Sequence, residues 1–310
     1  MEPTQQALAG SSPARVVKRY LLATRPMFFP ASVLPVLVGT AWGAGVAGEA
    51  HWTAFALALA AVVCVHAGIN VLNDVYDDIS GTDRFNDARI FPFTGGSRFI
   101  QNEILTRRQM GRWAVLLLGV SVILGIVLIM QSGTGVLMFG LAGMGLGVLY
   151  SMPPFQLAAR GLGETAVAAG FGVLPVTGAA WLQSGQIDAG ALLVSLPVSL
   201  WVANILLINE VPDIGADRAA GKLTLAVRAG EEGVRRLYLA LNLAALAILL
   251  AGAGAGLIPW TCAIVPALLL PLAFLAARTI DTPGERERGI KQTLLIHAAG
   301  SIYLAASLAF

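Results

Sequence analysis

Apolar stretches of roughly the 20 residues that a helix needs to cross a lipid bilayer recur along the whole chain. Hydrophobic residues make up 56% of the 310-residue sequence, and charged residues only 12%. A soluble domain carries about twice that charged fraction and needs it to cover its surface. We therefore expect an all-α, polytopic membrane protein and, because no run of like charges is long enough, no nucleic-acid partner. The pattern predicts nine transmembrane helices, at 27–48, 52–75, 111–131, 134–152, 164–184, 189–211, 233–252, 257–277 and 292–310.

The lysines and arginines predict how these helices are oriented. All 20 of them lie in or beside one alternate set of segments, whereas the opposite loops are a few residues long and contain none. Positive charges concentrate at the cytoplasmic ends of membrane helices. We therefore expect an integral protein of the cell inner membrane, with its N-terminus and its long loops in the cytoplasm. The segments that hold the positive charges are 1–26, 76–110, 153–163, 212–232 and 278–291.

The sequence also predicts the organisation of the chain. We expect a cytoplasmic N-terminal segment, 1–20, followed by a single membrane domain, 21–310. The Val-Leu-Pro-Val sequence of residues 33–36 returns at 173–176, and each copy is followed by a glycine and a tryptophan. This repetition predicts two parallel four-helix repeats with a ninth helix appended.

A polar motif, Asn-x-x-x-Asp, occurs at the cytoplasmic ends of the second and sixth predicted helices. The first copy is Asn73 and Asp77, and the second is Asn209 and Asp213, followed four residues later by Asp217. Residues four apart share one face of a helix, so each pair is expected to project together. Solvated helix ends that merely mark the membrane boundary are the alternative. Two matching copies at equivalent positions argue against it.

The motif residues suit a particular chemistry. Carboxylates clustered near a bilayer repel one another and are poorly solvated, so they stay ionised only beside cations. Mg²⁺ binds oxygen ligands and is commonly shared between a few carboxylates and a substrate phosphate. Lys222 and Arg228 follow Asp217 closely, and positive side chains beside a metal suit a bound diphosphate.

These motifs resemble the two signature motifs of the UbiA superfamily of intramembrane aromatic prenyltransferases. In this chain they read Asn73-Asp-x-x-Asp77-x-x-x-Gly81-x-Asp83 and Asn209-x-x-x-Asp213-x-x-x-Asp217-x-x-x-Gly221-Lys222. The resemblance covers about residues 20–305. It is greatest to the branch that prenylates 1,4-dihydroxy-2-naphthoate in menaquinone synthesis. Further matching elements are Arg25-Pro26, Tyr150-Ser-x-Pro153-Pro154 and Arg160-Gly-Leu-Gly-Glu164.

The resemblance implies a central cavity, capped by loops at about 76–110 and 212–232, and a role for each matching residue. Asp77, Asp213, Asp217 and Tyr150 would be catalytic, the tyrosine by facing the reacting carbons. The metal ligands would be Asn73, Asp77, Asp83, Asn209, Asp213 and Asp217. Diphosphate contacts would come from Asn73, Asn209, Lys222, Arg228, Arg89 and Arg160, and acceptor contacts from Arg25, His66 and Arg98.

Two departures from the family pattern concern the substrates. Between Pro154 and Arg160 this chain has no basic residue, where relatives often carry one. Arg98 follows Gly-Gly-Ser, where the naphthoate branch typically has a small residue. The missing basic residue leaves the source of one diphosphate contact open, and Arg98 leaves the identity of the acceptor open.

The function implied by the resemblance is the Mg²⁺-dependent transfer of a polyprenyl group from an allylic diphosphate to an aromatic acceptor. We expect 1,4-dihydroxy-2-naphthoate as that acceptor. The alternatives with the same chemistry are 4-hydroxybenzoate, homogentisate, a chlorin and a glycerol phosphate ether. Alternatives of other classes are an ion-coupled transporter and a non-catalytic protein that binds a lipid diphosphate. Transporters hold their coupling charges near the membrane midplane, whereas both motifs here lie at helix ends.

Overall fold

The computed structural model of the chain describes residues 3–81, 86 and 88–309. These residues contain nine long apolar helices, which confirms the predicted all-α membrane fold. Eight of these described helices are long and apolar enough to cross a membrane, and the fourth has 17 residues, which rise about 26 Å. The nine are α1 (Pro26–Ala47), α2 (Trp52–Ser80), α3 (Arg107–Ser132), α4 (Gly135–Ser151), α5 (Gly163–Ser184), α6 (Ala189–Asn209), α7 (Leu225–Gly254), α8 (Trp260–Arg278) and α9 (Pro283–Ala309).

Several helix ends differ from the predicted ones because capping, rather than hydrophobicity, sets them. α2 continues to Ser80 instead of residue 75, and Gly81, with a φ of 79°, ends it in the left-handed conformation. α3 begins at Arg107 because Thr106 and Gln109 form a capping box there. The longer α2 carries the whole Asn73-x-x-x-Asp77 motif.

α1 and α5, which contain the two Leu-Pro-Val sequences, pack at backbone contact. A Cβ atom added at Gly39 or Gly43 of α1 would collide with the backbone of α5 at Val176 and Ala180. Small residues permit such close approach between membrane helices. The two repeats therefore meet along their first helices.

The helices differ in how far the protein encloses them. About 72% of the most apolar stretch of α6 is buried inside the protein, against 17% of that of α3. Apolar side chains on the outside of α3, such as Val115 and Ile123, are exposed and suit contact with lipid. The second polar motif therefore begins at the end of a helix that lies in the interior of the bundle.

The N-terminal part of the chain, which contains the helix Pro13–Ala23, packs beside α3 and the segment that joins α2 and α3. Trp113 Nε1 donates a hydrogen bond to the Tyr20 carbonyl at 3.0 Å, and the two rings meet edge to face. Asn102 Nδ2 donates to the carbonyl of Pro3 at 2.8 Å. This helix crosses the predicted boundary between segments 1–20 and 21–310, and the division there stays a prediction.

Candidate active site

A cavity of about 550 Å³ lies between the helices and is lined by both polar motifs. Most of the remaining wall is apolar and includes Ile69, Met144 and Phe171. The predicted site residues that line this cavity are Arg25, His66, Asn73, Asp77, Tyr150, Asn209, Asp213, Asp217 and Lys222.

The first motif has the predicted geometry. Asn73 Nδ2 donates to Asp77 Oδ2 at 3.0 Å, across one turn of α2. The other oxygen of Asp77 forms an ion pair with the Lys222 ammonium, which comes from the segment between α6 and α7. Both side chains of this pair are about one fifth exposed, so solvent screens the pair only in part.

The second motif differs from the predicted geometry. We expected Asn209 and Asp213 on one face of a helix reaching residue 211, but α6 ends at Asn209. Pro212 disfavours the helical conformation for the residue before it, and the chain turns there. Asp213 therefore precedes a separate short helix, Ile214–Ala219, which carries Asp217.

Asp213 is bound by the segment that joins α2 and α3. Its Oδ1 accepts a hydrogen bond from Asn86 Nδ2 at 2.7 Å, and its Oδ2 accepts one from the Gly95 N–H at 3.3 Å. Gly95 has a φ of 72°, a conformation that favours glycine. Asp77 and Asp213 are therefore each bound by the loop that follows the other motif.

Burial raises the pKa of the acidic side chains that follow α6. The pKa of Asp217 rises to about 7 because burial disfavours its carboxylate, although Lys222 opposes the change. Burial also raises the pKa of Asp213, against the hydrogen bonds that it accepts. The pKa of Glu210 rises well above its ordinary value through burial and then through the charges of Glu164 and Asp217. An added cation would stabilise all three carboxylates.

The donor set fits a hard divalent cation such as Mg²⁺. Asp77, Asp213 and Asp217 supply carboxylate oxygens to one cavity, and Asn209 Oδ1 is buried there without a hydrogen-bond partner in the part of the chain that the structure describes. Among the described residues, no three acidic, histidine or cysteine side chains are grouped closely enough to hold a metal ion. Instead, Lys222 binds the Asp77 carboxylate and Asn86 binds the Asp213 carboxylate. The predicted ligand Asp83 lies outside the described residues.

Four predicted arginines are not among the described residues that line the cavity: Arg89, Arg98, Arg160 and Arg228. Arg228 Nη2 donates to the Arg160 carbonyl at 3.1 Å, and Arg160 Nη2 donates to another backbone carbonyl at 2.6 Å. Arg89 Nη1 donates to the carbonyl of Asn86 at 2.7 Å. These bonds shape the loops around the site, and the predicted substrate contacts of the four arginines stay predictions.

The remaining predicted residues, Arg25, His66 and Tyr150, share the cavity wall. Arg25 has a φ of 57°, and its Nη2 donates to the Phe93 carbonyl at 3.0 Å. His66 is buried, with Nδ1 lying 2.5 Å from Ser32 Oγ. The structure thus brings a guanidinium, an imidazole and a phenol to the cavity that holds the carboxylates.

Two groups at the site were missed by reasoning from the sequence. Asn86 binds Asp213, but nothing in its local sequence distinguishes it from other loop residues. Glu210 lines the cavity directly after Asn209, so its place inside the motif was a usable signal.

The profile of the UbiA prenyltransferase family matches residues 32–295 of this chain. The chain belongs to that family. It is 31% identical to the 1,4-dihydroxy-2-naphthoate octaprenyltransferase of Mycobacterium leprae over 303 residues, which cover 94% of this chain and 98% of that relative. It is 30% identical to the 2-carboxy-1,4-naphthoquinone phytyltransferase of Synechocystis sp., with 72% of this chain and 70% of the relative covered.

Solved structures of UbiA homologues have the same fold. The homologue from Aeropyrum pernix K1 gives a TM-score of 0.66 at 20% identity, over 89% of this chain and 96% of that one. A homologue from Archaeoglobus fulgidus bound to GPP and Mg²⁺ gives 0.60 at 18% identity, over 94% and 100%. With its family established, this chain is an integral membrane enzyme that transfers prenyl groups.

Proposed function

We propose that this enzyme transfers a polyprenyl group from an allylic diphosphate to 1,4-dihydroxy-2-naphthoate, with Mg²⁺ as its cofactor, on the cytoplasmic side of the inner membrane. One observation carries the proposal. Both acidic motifs and Lys222 line one cavity whose remaining wall is mainly apolar. A substrate with an ionic head and a long apolar tail needs that division. The naphthoate specificity named for the Mycobacterium leprae relative supports the acceptor.

The polar part of the cavity would bind the diphosphate. Asp77, Asp213 and Asp217 would hold Mg²⁺, together with the side-chain oxygen of Asn209. The bound ion would neutralise the negative charge that grows on the departing diphosphate. Lys222 would contact the diphosphate itself, since its ammonium already lies in this cavity beside Asp77.

The apolar part would bind the prenyl tail. Gly125 of α3 and Gly140 and Gly143 of α4 line the cavity, and a Cβ atom at any of them would meet no other atom of the described residues within 4 Å. That open space suits a flexible hydrocarbon chain.

The reaction needs positioning and exclusion of water rather than a covalent nucleophile. When the C–O bond of the allylic diphosphate breaks, the diphosphate takes the electron pair and an allylic cation remains. The Tyr150 ring lines the cavity and can favour that positive charge, while the apolar wall keeps water away from it. An electron-rich ring carbon of the acceptor then forms the new C–C bond, and the naphthoate loses its carboxyl group as CO₂.

An acceptor panel tests this proposal. Purified protein in nanodiscs would receive Mg²⁺, a geranyl-to-octaprenyl diphosphate series, and 1,4-dihydroxy-2-naphthoate or 4-hydroxybenzoate, with EDTA as control. We expect prenylated, decarboxylated product from the naphthoate, and none with EDTA. Product from 4-hydroxybenzoate alone would refute 1,4-dihydroxy-2-naphthoate as the acceptor. Undiminished product with EDTA would refute the requirement for Mg²⁺.

A further inference from the structure

Glu210 places an unsatisfied acceptor in the wall of the cavity. It is the first residue after α6, its side chain is only 8% exposed, and it lines the cavity. Its Oε2 is buried without a hydrogen-bond partner in the described chain. A buried carboxylate oxygen that lacks a donor is costly, so a bound ligand that supplies one is stabilised there.

A second buried carboxyl lies behind it. Glu164, near the start of α5, is 6% exposed, and its carboxyl shares a hydrogen bond with the carboxyl of Glu210. The start of α5 lies against Glu210, because a Cβ atom on Gly163 would be 3.7 Å from Glu210 Oε1. Glu164 therefore supports the Glu210 carboxyl from behind, and Glu210 Oε2 remains the acceptor that lies in the cavity wall.

The chemistry of the substrates decides which of them fits that oxygen. A diphosphate head is an anion without hydrogen-bond donors, so it offers nothing that Glu210 Oε2 can accept. The hydroxyl groups of a dihydroxylated ring are donors and complement this oxygen. Elsewhere in the wall, Arg25 presents a buried Nε that has no partner in the described chain, and this donor suits the carboxylate of the same acceptor.

We propose that Glu210, backed by Glu164, positions the aromatic acceptor by accepting a hydrogen bond from a ring hydroxyl. The proposal rests on the proposed function, since it assumes a hydroxylated acceptor. A hydroxyl that donates to a carboxylate also enriches its ring in electrons, which favours attack on the allylic cation. Glu210 is therefore a positioning residue and a determinant of acceptor choice.

Steady-state kinetics with Glu210→Met and Glu210→Gln test this role. Loss of this acceptor leaves a ring hydroxyl buried and unpaired, which should raise the KM for the acceptor about 10- to 100-fold in Glu210→Met, with a smaller rise in Glu210→Gln, which keeps one acceptor oxygen. The acceptor KM should rise by a larger factor than the KM for the prenyl diphosphate or the Mg²⁺ requirement, since those two depend on the motif carboxylates, which Glu210 affects only through its charge. Monomethyl ethers of the acceptor supply the matched comparison. For the ether that blocks the hydroxyl bound by Glu210, the KM should be the same in wild type and in Glu210→Met, because neither can form the hydrogen bond.

Other outcomes overturn the proposal. A rise in the prenyl diphosphate KM or in the Mg²⁺ requirement, without a rise in the acceptor KM, would make Glu210 part of the metal and diphosphate site. If Glu210→Met does not fold, Glu210→Gln carries the test, and an acceptor KM equal to that of wild type would refute it. Failure of wild type to prenylate any hydroxylated acceptor would instead contradict the proposed function.

Discussion

Asp77 and Asp213 are each bound by a group from the other half of the chain. Lys222, which follows the second motif, pairs with Asp77, and Asn86, which follows the first motif, donates to Asp213. Each loop is therefore anchored on the opposite motif.

The motif aspartates give the first prediction at the scale of single residues. Asp77→Asn or Asp213→Asn should lower turnover at least about 100-fold, because each removes a negative charge that stabilises the metal cation of the site. Asparagine keeps the size of the side chain, so the bundle should stay folded. Initial rates in nanodiscs measure the effect. Asp281→Asn, which breaks an exposed pair with Arg235, is the matched control and should change the rate little. A near-normal rate in either motif variant would refute the role.

The raised pKa of Asp217 predicts how pH acts on the metal-free protein. Its carboxyl ionises near pH 7 when folded, but at its ordinary value of about 4 when unfolded. Between those values the folded chain keeps a proton that the unfolded chain has lost, so rising pH lowers stability. The metal-free Tm should therefore fall from about pH 5 to about pH 8, and Mg²⁺ should raise the Tm more at the higher pH.

Asp217→Asn is the control for this pH dependence. It should weaken both trends, because asparagine does not titrate. An Mg²⁺-induced change in Tm that is the same at both pH values in wild type would contradict a metal site containing Asp217.

At the scale of helices, the contact between α1 and α5 depends on the absence of a side chain. Gly39→Ala should destabilise the protein by about 1–3 kcal/mol, because the new methyl group would overlap the Val176 carbonyl. Gly119→Ala, on the open face of α3, should be neutral or slightly stabilising, because alanine has the better helix propensity. Thermal unfolding in detergent compares the two, and equal Tm changes would contradict the backbone contact.

The nine helices were predictable because the bilayer imposes a length of apolar sequence, and both acidic motifs were predictable because their spacing repeats. The ends of the helices were less predictable, because local capping residues set them. α2 continues past its predicted end until Gly81 stops it, and α6 ends before its predicted end because Pro212 follows. The bond from Asn86 to Asp213 joins residues far apart in sequence and follows only from the fold.

At the scale of the whole molecule, the positive charges predict the orientation in the membrane. Single cysteines at two exposed positions, introduced into a Cys64→Ala, Cys262→Ala background, would report it in intact cells. Ala219→Cys, after the second motif, should react with an impermeant maleimide only when the membrane is opened. Gln186→Cys, in the short loop between α5 and α6, should react from outside. The reverse pattern would overturn the predicted orientation.

Both repeats should bind a single prenyl diphosphate in a single cavity, and calorimetry tests this most directly. An unreactive prenyl thiolodiphosphate would be titrated with Mg²⁺ into wild type, Asp77→Asn, Asp213→Asn and the double variant in nanodiscs. We predict one ligand per chain, binding at least about tenfold weaker in each single variant, and little further loss in the double variant, because the two motifs act as a unit. Two ligands per chain, or unchanged affinity in either single variant, would contradict a shared site.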